Sequence, residues 1–235
     1  PDIIIGSTPS PFAAEAARKL SKKYGVRFVL EIRDLWPQTF IDLGKMKKFH
    51  PFVHLLKSLE KKLYRRADAI ITVLPNSTDY IAKIRGENKN IHFIPNGCTF
   101  AQLPSTTPAD LQDQFKICYA GSMGLSNSLD TLIDAALILK QRGNRSNIQI
   151  VLCGQGPHKT ALVKKCLDGG LDFVQFLEPV PKTEVHSFLA TADAFVVTMK
   201  NTPLYKYGIS FNKVFDYLAI GRPIITASCA SKDPV

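Results

Sequence analysis

The chain has 235 residues, 45% of them hydrophobic, which suffices for one large α/β domain or two small ones with real cores. Its formal net charge of +10 is concentrated in residues 1–100, where 17 Lys and Arg stand against 9 Asp and Glu. No run reaches the roughly 18–20 uninterrupted apolar residues of a membrane-spanning helix, so any membrane contact is expected to be peripheral. The positive field suits anionic partners such as phospholipid surfaces, polyprenyl phosphates or nucleic acid and says nothing about fold.

The chain opens on Pro1-Asp2-Ile3-Ile4-Ile5, a strand-like run with no initiator Met, basic n-region or cleavage site, and reads as a piece of something longer. Apolar β-branched runs then alternate with amphipathic stretches, the pattern of parallel strands joined by crossover helices. Strands are predicted at 2–6, 26–32, 69–74 and 90–94, with helices at 11–24 and 77–84. Between Lys45 and Arg66, Lys45, Lys47, Lys48, Lys57, Lys61, Lys62, Arg65 and Arg66 stand against Glu60 alone, with Phe52, Leu55, Leu56, Leu59 and Leu63 on one helical stripe. A helix of this kind packs its stripe on the core, presents its cations to lipid phosphates, or does both.

Pro95-Asn96-Gly97 is turn chemistry and residues 103–108 are polar and proline-bearing. A domain boundary is therefore expected, with residues 1–98 before it, a linker at 99–114, and a second α/β series at 115–235. That series reads as strand 115–119, helix 129–141, strand 148–153, helix 159–167, strand 173–177, helix 182–191 and strand 194–198. Cys98, Cys118, Cys153, Cys166 and Cys229 form no C-x-x-C pair and read as reduced thiols of a cytosolic protein. The five histidines show no ligand spacing beyond His50 and His54, which Pro51 separates, so no metal site is expected.

The most informative stretch is 207–225. Gly208, Ile209 and Ser210 lead into a helix carrying Asn212, Lys213 and Asp216, and Gly221-Arg222-Pro223 turns into a short β-branched strand. Backbone N–H groups at a helix start, together with one lysine, suit a diphosphate, and a carboxylate one turn on suits ribose hydroxyls. Gly121 and Ser122 follow a predicted strand end, where small residues let backbone N–H groups approach a ligand or simply make the turn. Gly154-Gln155-Gly156-Pro157 is similar, and there Pro157 favours the structural reading. Arg33 and Asp34 end another strand, where ligands gather in open parallel sheets; the bland alternative is an Asp34 that caps a helix or pairs with Arg33.

These residues carry a resemblance. Ser7-Thr8-Pro9-Ser10-Pro11, Arg33-Asp34-Leu35-Trp36-Pro37, Ile94-Pro95-Asn96-Gly97, Tyr119-Ala120-Gly121, Gly154-Gln155-Gly156-Pro157 and Ile209-Ser210-Phe211-Asn212-Lys213 with Gly221-Arg222-Pro223 together resemble the retaining GT-B glycosyltransferases of the glycogen-synthase and sucrose-synthase superfamily, family 4 type. The nearest likeness is to the bacterial branch that builds O-antigen, capsule and exopolysaccharide. It implies two Rossmann-like domains with parallel sheets facing a cleft, here truncated at both ends, with the donor diphosphate on the second domain. It implies transfer from a UDP-sugar to a lipid-linked or saccharide acceptor, without metal or any cofactor beyond the nucleotide-sugar co-substrate.

By the same resemblance Asp34 and Lys213 are catalytic, and Gly121, Ser122, Gly154, Val180, Gly208, Ile209, Ser210, Asn212 and Asp216 bind donor. Arg33 assists with acceptor or phosphate. The family's two glutamates eight positions apart fall on Gly208 and Asp216, so only a shortened second carboxylate remains, and Ser122 and Ser126 stand near the places of a cationic pair. The expected location is cytoplasmic, at the inner membrane face, with the 45–66 helix on anionic lipid and no nucleic acid bound. A UDP-sugar 2-epimerase and a basic nucleic-acid-binding module are the alternatives.

Overall fold

A computed structural model describes residues 1–98, 114–143 and 147–230. Contacts divide the chain into two compact units. The first holds β1 (Ile3–Thr8), α1 (Pro11–Tyr24), β2 (Arg27–Ile32), α2 (Gln38–Asp42), α3 (Pro51–Arg66), β3 (Ala69–Thr72), α4 (Thr78–Arg85) and β4 (Ile91–Phe93). Its strands form one parallel sheet in the order β1-β2-β3-β4.

Local chemistry explains the element ends. Ser10 caps α1 by accepting from the Ala13 N–H at 3.3 Å, Pro11 occupies the first turn, and Gly25 closes the helix at φ 65°. The imidazole Nδ1 of His50 caps α3 by accepting from the Phe52 N–H at 3.1 Å, which is the use the fold makes of that histidine. Phe28, Leu30, Ile32, Leu63, Ile70 and Ile81 fill the core beneath the sheet.

Two expectations are corrected in this unit. The basic helix begins at Pro51, so Lys45, Lys47 and Lys48 precede it in the loop after α2. Its buried face is Val53, Leu56, Glu60, Leu63 and Tyr64; Leu55, expected on the stripe, is exposed. A helix of 3.6 residues per turn that packs Leu56 and Leu63 inward rotates Leu55 outward by about 100°. Glu60 sits among tyrosines instead of facing solvent: the Tyr80 hydroxyl donates to its Oε1 at 2.9 Å, and burial pushes its pKa up to about 7.

The second unit holds β5 (Phe115–Ala120), α5 (Asp130–Gln141), β6 (Ile148–Cys153), α6 (Lys159–Asp168), β7 (Val174–Leu177), α7 (Val185–Leu189), β8 (Ala194–Thr198), α8 (Asn212–Ile220) and β9 (Ile224–Ala227). Its sheet is parallel throughout, in the order β7-β6-β5-β8-β9. The order reverses between β5 and β8, and the crevice beyond the carboxyl ends at such a reversal is where this sheet type binds ligands. Tyr119, Ile133, Ile150, Leu152 and Leu162 are central to its core. The helix expected at 182–191 is a 3-10 turn, Lys182–Glu184, followed by the five-residue α7.

The expected boundary differs from the contacts in one segment. Thr202–Ser210 groups with the first unit, and the second resumes at Phe211. The Asn76 N–H donates to the Tyr207 carbonyl at 3.0 Å, and the rings of Tyr80 and Tyr207 meet edge-on at 5.2 Å. The linker expected at 99–114 lies outside the described residues up to position 113.

Cys118, Cys153 and Cys166 are buried and all five described cysteines are free thiols, with burial pushing Cys118 up to about 12 and Cys166 up to about 11. Among the described residues no helix is long and apolar enough to cross a membrane, and no cluster of His, Cys, Asp and Glu could hold a metal.

Candidate functional site

Beyond the carboxyl ends of β5 and β6 lies a cavity of about 560 Å³, in the size range of small-molecule sites. The loops that form its floor are joined by backbone hydrogen bonds. The Gly121 N–H donates to the Cys153 carbonyl at 2.9 Å, the Met123 N–H to Gln155 at 2.8 Å, and the His158 N–H to Met123 at 3.0 Å. This zipper needs glycine. A Cβ on Gly154 would lie 1.9 Å from the Gly121 carbonyl oxygen, and Gly154 has φ +147°.

Lys213 reaches the cavity from the first turn of α8. Its Nζ donates to the Tyr119 hydroxyl at 2.7 Å and to Asn127 Oδ1 at 2.9 Å, and it lies 4.3 Å from the Tyr119 ring centroid. Tyr119 in turn donates to the Ser122 carbonyl at 2.6 Å, and the Asn127 amide donates to the same oxygen at 2.8 Å. The ammonium is thus surrounded by neutral partners, and no carboxylate among the described residues compensates it. Burial therefore pushes its pKa down to about 7, while the Tyr119 phenol is pushed up by burial.

Tyr217, one turn further along α8, fixes the helix to β5. The Ala120 N–H donates to its hydroxyl at 2.8 Å, that hydroxyl donates to the Ala120 carbonyl at 3.2 Å, and its ring stacks on Phe195 at 4.3 Å. No side chain of the N-cap residue Phe211 caps α8, and the first N–H groups of a helix have no partner within it. An uncapped helix start, a lysine with no counter-ion among the described residues and close backbone loops are features that suit an anion of diphosphate size.

The structure brings together Gly121, Ser122, Gly154, Val180, Asn212, Lys213 and Asp216, all of which line this one cavity. The Asp216 carboxylate meets His186 Nε2 at 3.1 Å. Gly208, Ile209 and Ser210 do not line it; they belong to the first unit. Ile209 is 4% exposed, Gly208 makes a turn at φ 85°, and Ser210 accepts from the Asn96 side-chain amide at 2.7 Å through its carbonyl and 3.0 Å through its hydroxyl. The Gly208 N–H donates to the Tyr205 carbonyl at 3.0 Å.

Arg33 and Asp34 stand at the carboxyl end of β2 in the first unit. Thr8 Oγ1 accepts from the Arg33 N–H at 3.0 Å and donates to the Asp34 carbonyl at 3.2 Å, which fixes the loop. The Arg33 guanidinium donates to Asn96 Oδ1 at 3.3 Å and lies 3.5 Å from Glu31. Burial raises the Asp34 pKa and the Arg33 charge opposes that rise. The Asp34 carboxylate is held by no hydrogen bond from the described residues, so it is available to a ligand.

Tyr119, Asn127, Tyr217 and His186 were not predicted as site residues. Tyr119 and Tyr217 read as core aromatics within apolar runs, and Asn127 lies in a polar loop with no periodic signal. Only the Tyr119-Ala120-Gly121 marker pointed near them.

Comparison with known proteins accords with this geometry. Residues 114–235 match the family described as Glycosyl transferases group 1, and residues 1–101 match Glycosyltransferase Family 4. The chain belongs to the group 1, family 4 glycosyltransferases. It is 27% identical over 240 residues to WcaI of Escherichia coli (strain K12), whose name assigns it to glycosyl transfer in colanic acid biosynthesis; the match covers 97% of this chain and 58% of that one. Among solved structures it is similar to HepE of Anabaena in complex with UDP, with TM-score 0.74 and 15% identity over 97% of this chain and 60% of that one. It is also similar to WaaG, a glycosyltransferase involved in lipopolysaccharide biosynthesis, with TM-score 0.67 and 12% identity over 93% and 64%. These likenesses define a GT-B type fold.

Proposed function

We propose that the protein moves a sugar from a UDP-linked donor to a lipid-linked or saccharide acceptor in cell-envelope polysaccharide synthesis, with retention of configuration and without a metal. The observation that carries this reading is Lys213 at the uncapped start of α8, its ammonium without an anionic partner among the described residues inside a cavity of about 560 Å³.

As the glycosidic bond loosens, negative charge gathers on the leaving diphosphate. Lys213 and the α8 N–H groups stabilise that charge where it develops, and a lysine already held in place needs no reorganisation at that moment. A diphosphate also supplies the counter-ion that no described carboxylate provides. Gly121 and Gly154 allow backbone to approach the donor closely, Val180 lies on the apolar side of the cavity, and Asp216 accepts from ribose hydroxyls. Asp34, a carboxylate without a hydrogen-bond donor among the described residues, is assigned to the acceptor or the sugar near the reacting centre, with Arg33 beside it.

A peripheral membrane contact completes the proposal. Lys45, Lys47 and Lys48 precede α3, and Phe49 beside them is 83% exposed, an arrangement suited to an anionic bilayer surface. The reading as a whole is tested by a panel of nucleotide-sugars and nucleoside diphosphates in thermal stabilisation of the protein. UDP species should raise the melting temperature and other nucleotides should do so less; indifference to every UDP species would remove the donor assignment.

A further inference from the structure

The Asp216 carboxylate has two sides. Oδ1 lies 3.1 Å from His186 Nε2, and Oδ2 accepts no hydrogen bond from the described residues. Asp216 lines the cavity, whereas His186, on α7, is not among the lining residues. The imidazole therefore approaches the carboxylate from behind, from a helix that contributes Val185 and Leu189 to the cavity wall. Both partners are partly shielded, with side-chain exposures of 21% for His186 and 34% for Asp216.

We propose that His186 is a positioning residue that fixes the Asp216 carboxylate so that its second oxygen faces the vicinal hydroxyls of a nucleotide ribose. This rests on the donor-site reading above. An aspartate has only two side-chain torsions, and χ2 of a carboxylate is a broad, nearly two-fold torsion that needs an external partner to be fixed. With its proton on Nε2, His186 supplies that partner as a donor, and a held acceptor loses less freedom when a hydroxyl arrives. The pair also explains how an aspartate in this place, one methylene shorter than a glutamate, is kept at the cavity instead of folding back on its own helix.

The test compares UDP with 2′,3′-dideoxy-UDP in calorimetric binding to the whole chain. The parent should bind UDP more tightly than the dideoxy nucleotide. His186→Ala should weaken UDP by roughly 3- to 10-fold and leave the dideoxy nucleotide unchanged, as loss of one fixed acceptor requires. His186→Gln, whose Nε2 can still donate, should restore most of the loss, and on an Asp216→Ala background the histidine substitution should add nothing further.

Equal weakening of both nucleotides by His186→Ala would reduce the pair to a staple between α7 and α8 and overturn the proposal. So would a His186→Ala variant that keeps the parent's full preference for UDP, in which case the donor site itself survives. A parent that binds neither nucleotide overturns the donor assignment and this proposal together. Melting curves of both histidine variants show whether the fold is retained, and the glutamine variant carries the comparison if alanine disturbs it.

Discussion

Gly154 and Gly121 approach so closely that a single methyl on Gly154 would lie 1.9 Å from the Gly121 carbonyl oxygen. Two loops from adjacent strands are thereby pressed into one surface. The backbone beneath the Lys213 ammonium is built on that contact, since Gly121 also lies 3.3 Å from the lysine at its own hypothetical Cβ. Gly154→Ala must part the loops and also adopt φ +147°, so it should lower stability by about 1–3 kcal/mol or more. Denaturant unfolding with a probe in the second unit checks this, and an unchanged midpoint would mean that the loops separate without cost.

Lys213→Ala should lower turnover of the active enzyme by roughly 100- to 1,000-fold, the cost of removing one preorganised donor to a developing anion. UDP binding should weaken as well, because the same charge meets the diphosphate in the ground state. Steady-state kinetics on the longest active form measures the first effect and calorimetry the second. Turnover near the parent's would remove Lys213 from the mechanism.

Burial holds the Lys213 pKa at about 7, well below the ordinary lysine value. An anionic ligand favours the charged form and raises that pKa, so above pH 7 binding should take up a proton. The affinity for UDP should accordingly fall as pH rises from about 7 to 9, a range in which the diphosphate no longer gains charge. Titrations in buffers of different ionisation enthalpy read the proton directly, and the effect should vanish in Lys213→Ala. A pH-independent affinity across that range in the parent would contradict the assignment.

Glu60 is shifted in the opposite direction. Its folded pKa, pushed up to about 7 by burial, lies above the ordinary value of 4.5. Its neutral form therefore stabilises the fold fully below about pH 4.5, and that contribution is lost as pH rises towards 7. Glu60→Gln keeps an acceptor for Tyr80 and removes the charge, so the variant should be more stable than the parent above pH 7 by up to about 3 kcal/mol. Unfolding of the two proteins across pH 4–8 checks the sign; parallel stability curves would show that Glu60 is solvated.

The membrane proposal predicts cosedimentation with vesicles containing anionic lipid, weakened by salt. Replacing Lys47 and Lys48 by Glu and Phe49 by Ala should reduce binding at least tenfold, since each cation near such a surface adds about 1 kcal/mol. A triple variant that sediments like the parent would place the contact elsewhere.

Much of the fold was legible because periodicity records burial directly. The strands at 148–153 and 194–198 and the helix at 11–24 were read with their observed bounds; Ser10 and Gly25 flank the helix, Gly154 follows the first strand, and the second strand shows as an uninterrupted apolar run. Helix α3 was legible in its charge but not in its start, because Lys45 to Phe49 have helical composition and only Pro51 marks the first turn. The 182–191 stretch was misread as one helix, its polar start being equally compatible with a 3-10 turn.

By itself the sequence determined which polar and charged residues stand near a helix start, and so named Asn212, Lys213 and Asp216 from one short stretch. Spacing along one element is a local property, and local properties survive in a string. Only the tertiary structure decided that Lys213 rests on Tyr119 and Asn127, that Asp216 leans on His186, and that Ser210, two residues before the helix, is held by Asn96. Those partners lie 94, 86, 30 and 114 positions away. Lys213, Tyr119 and Asn127 meet because parallel strands deliver their carboxyl ends to one edge of the second unit's sheet, a geometry fixed by strand order and not by any neighbouring residue.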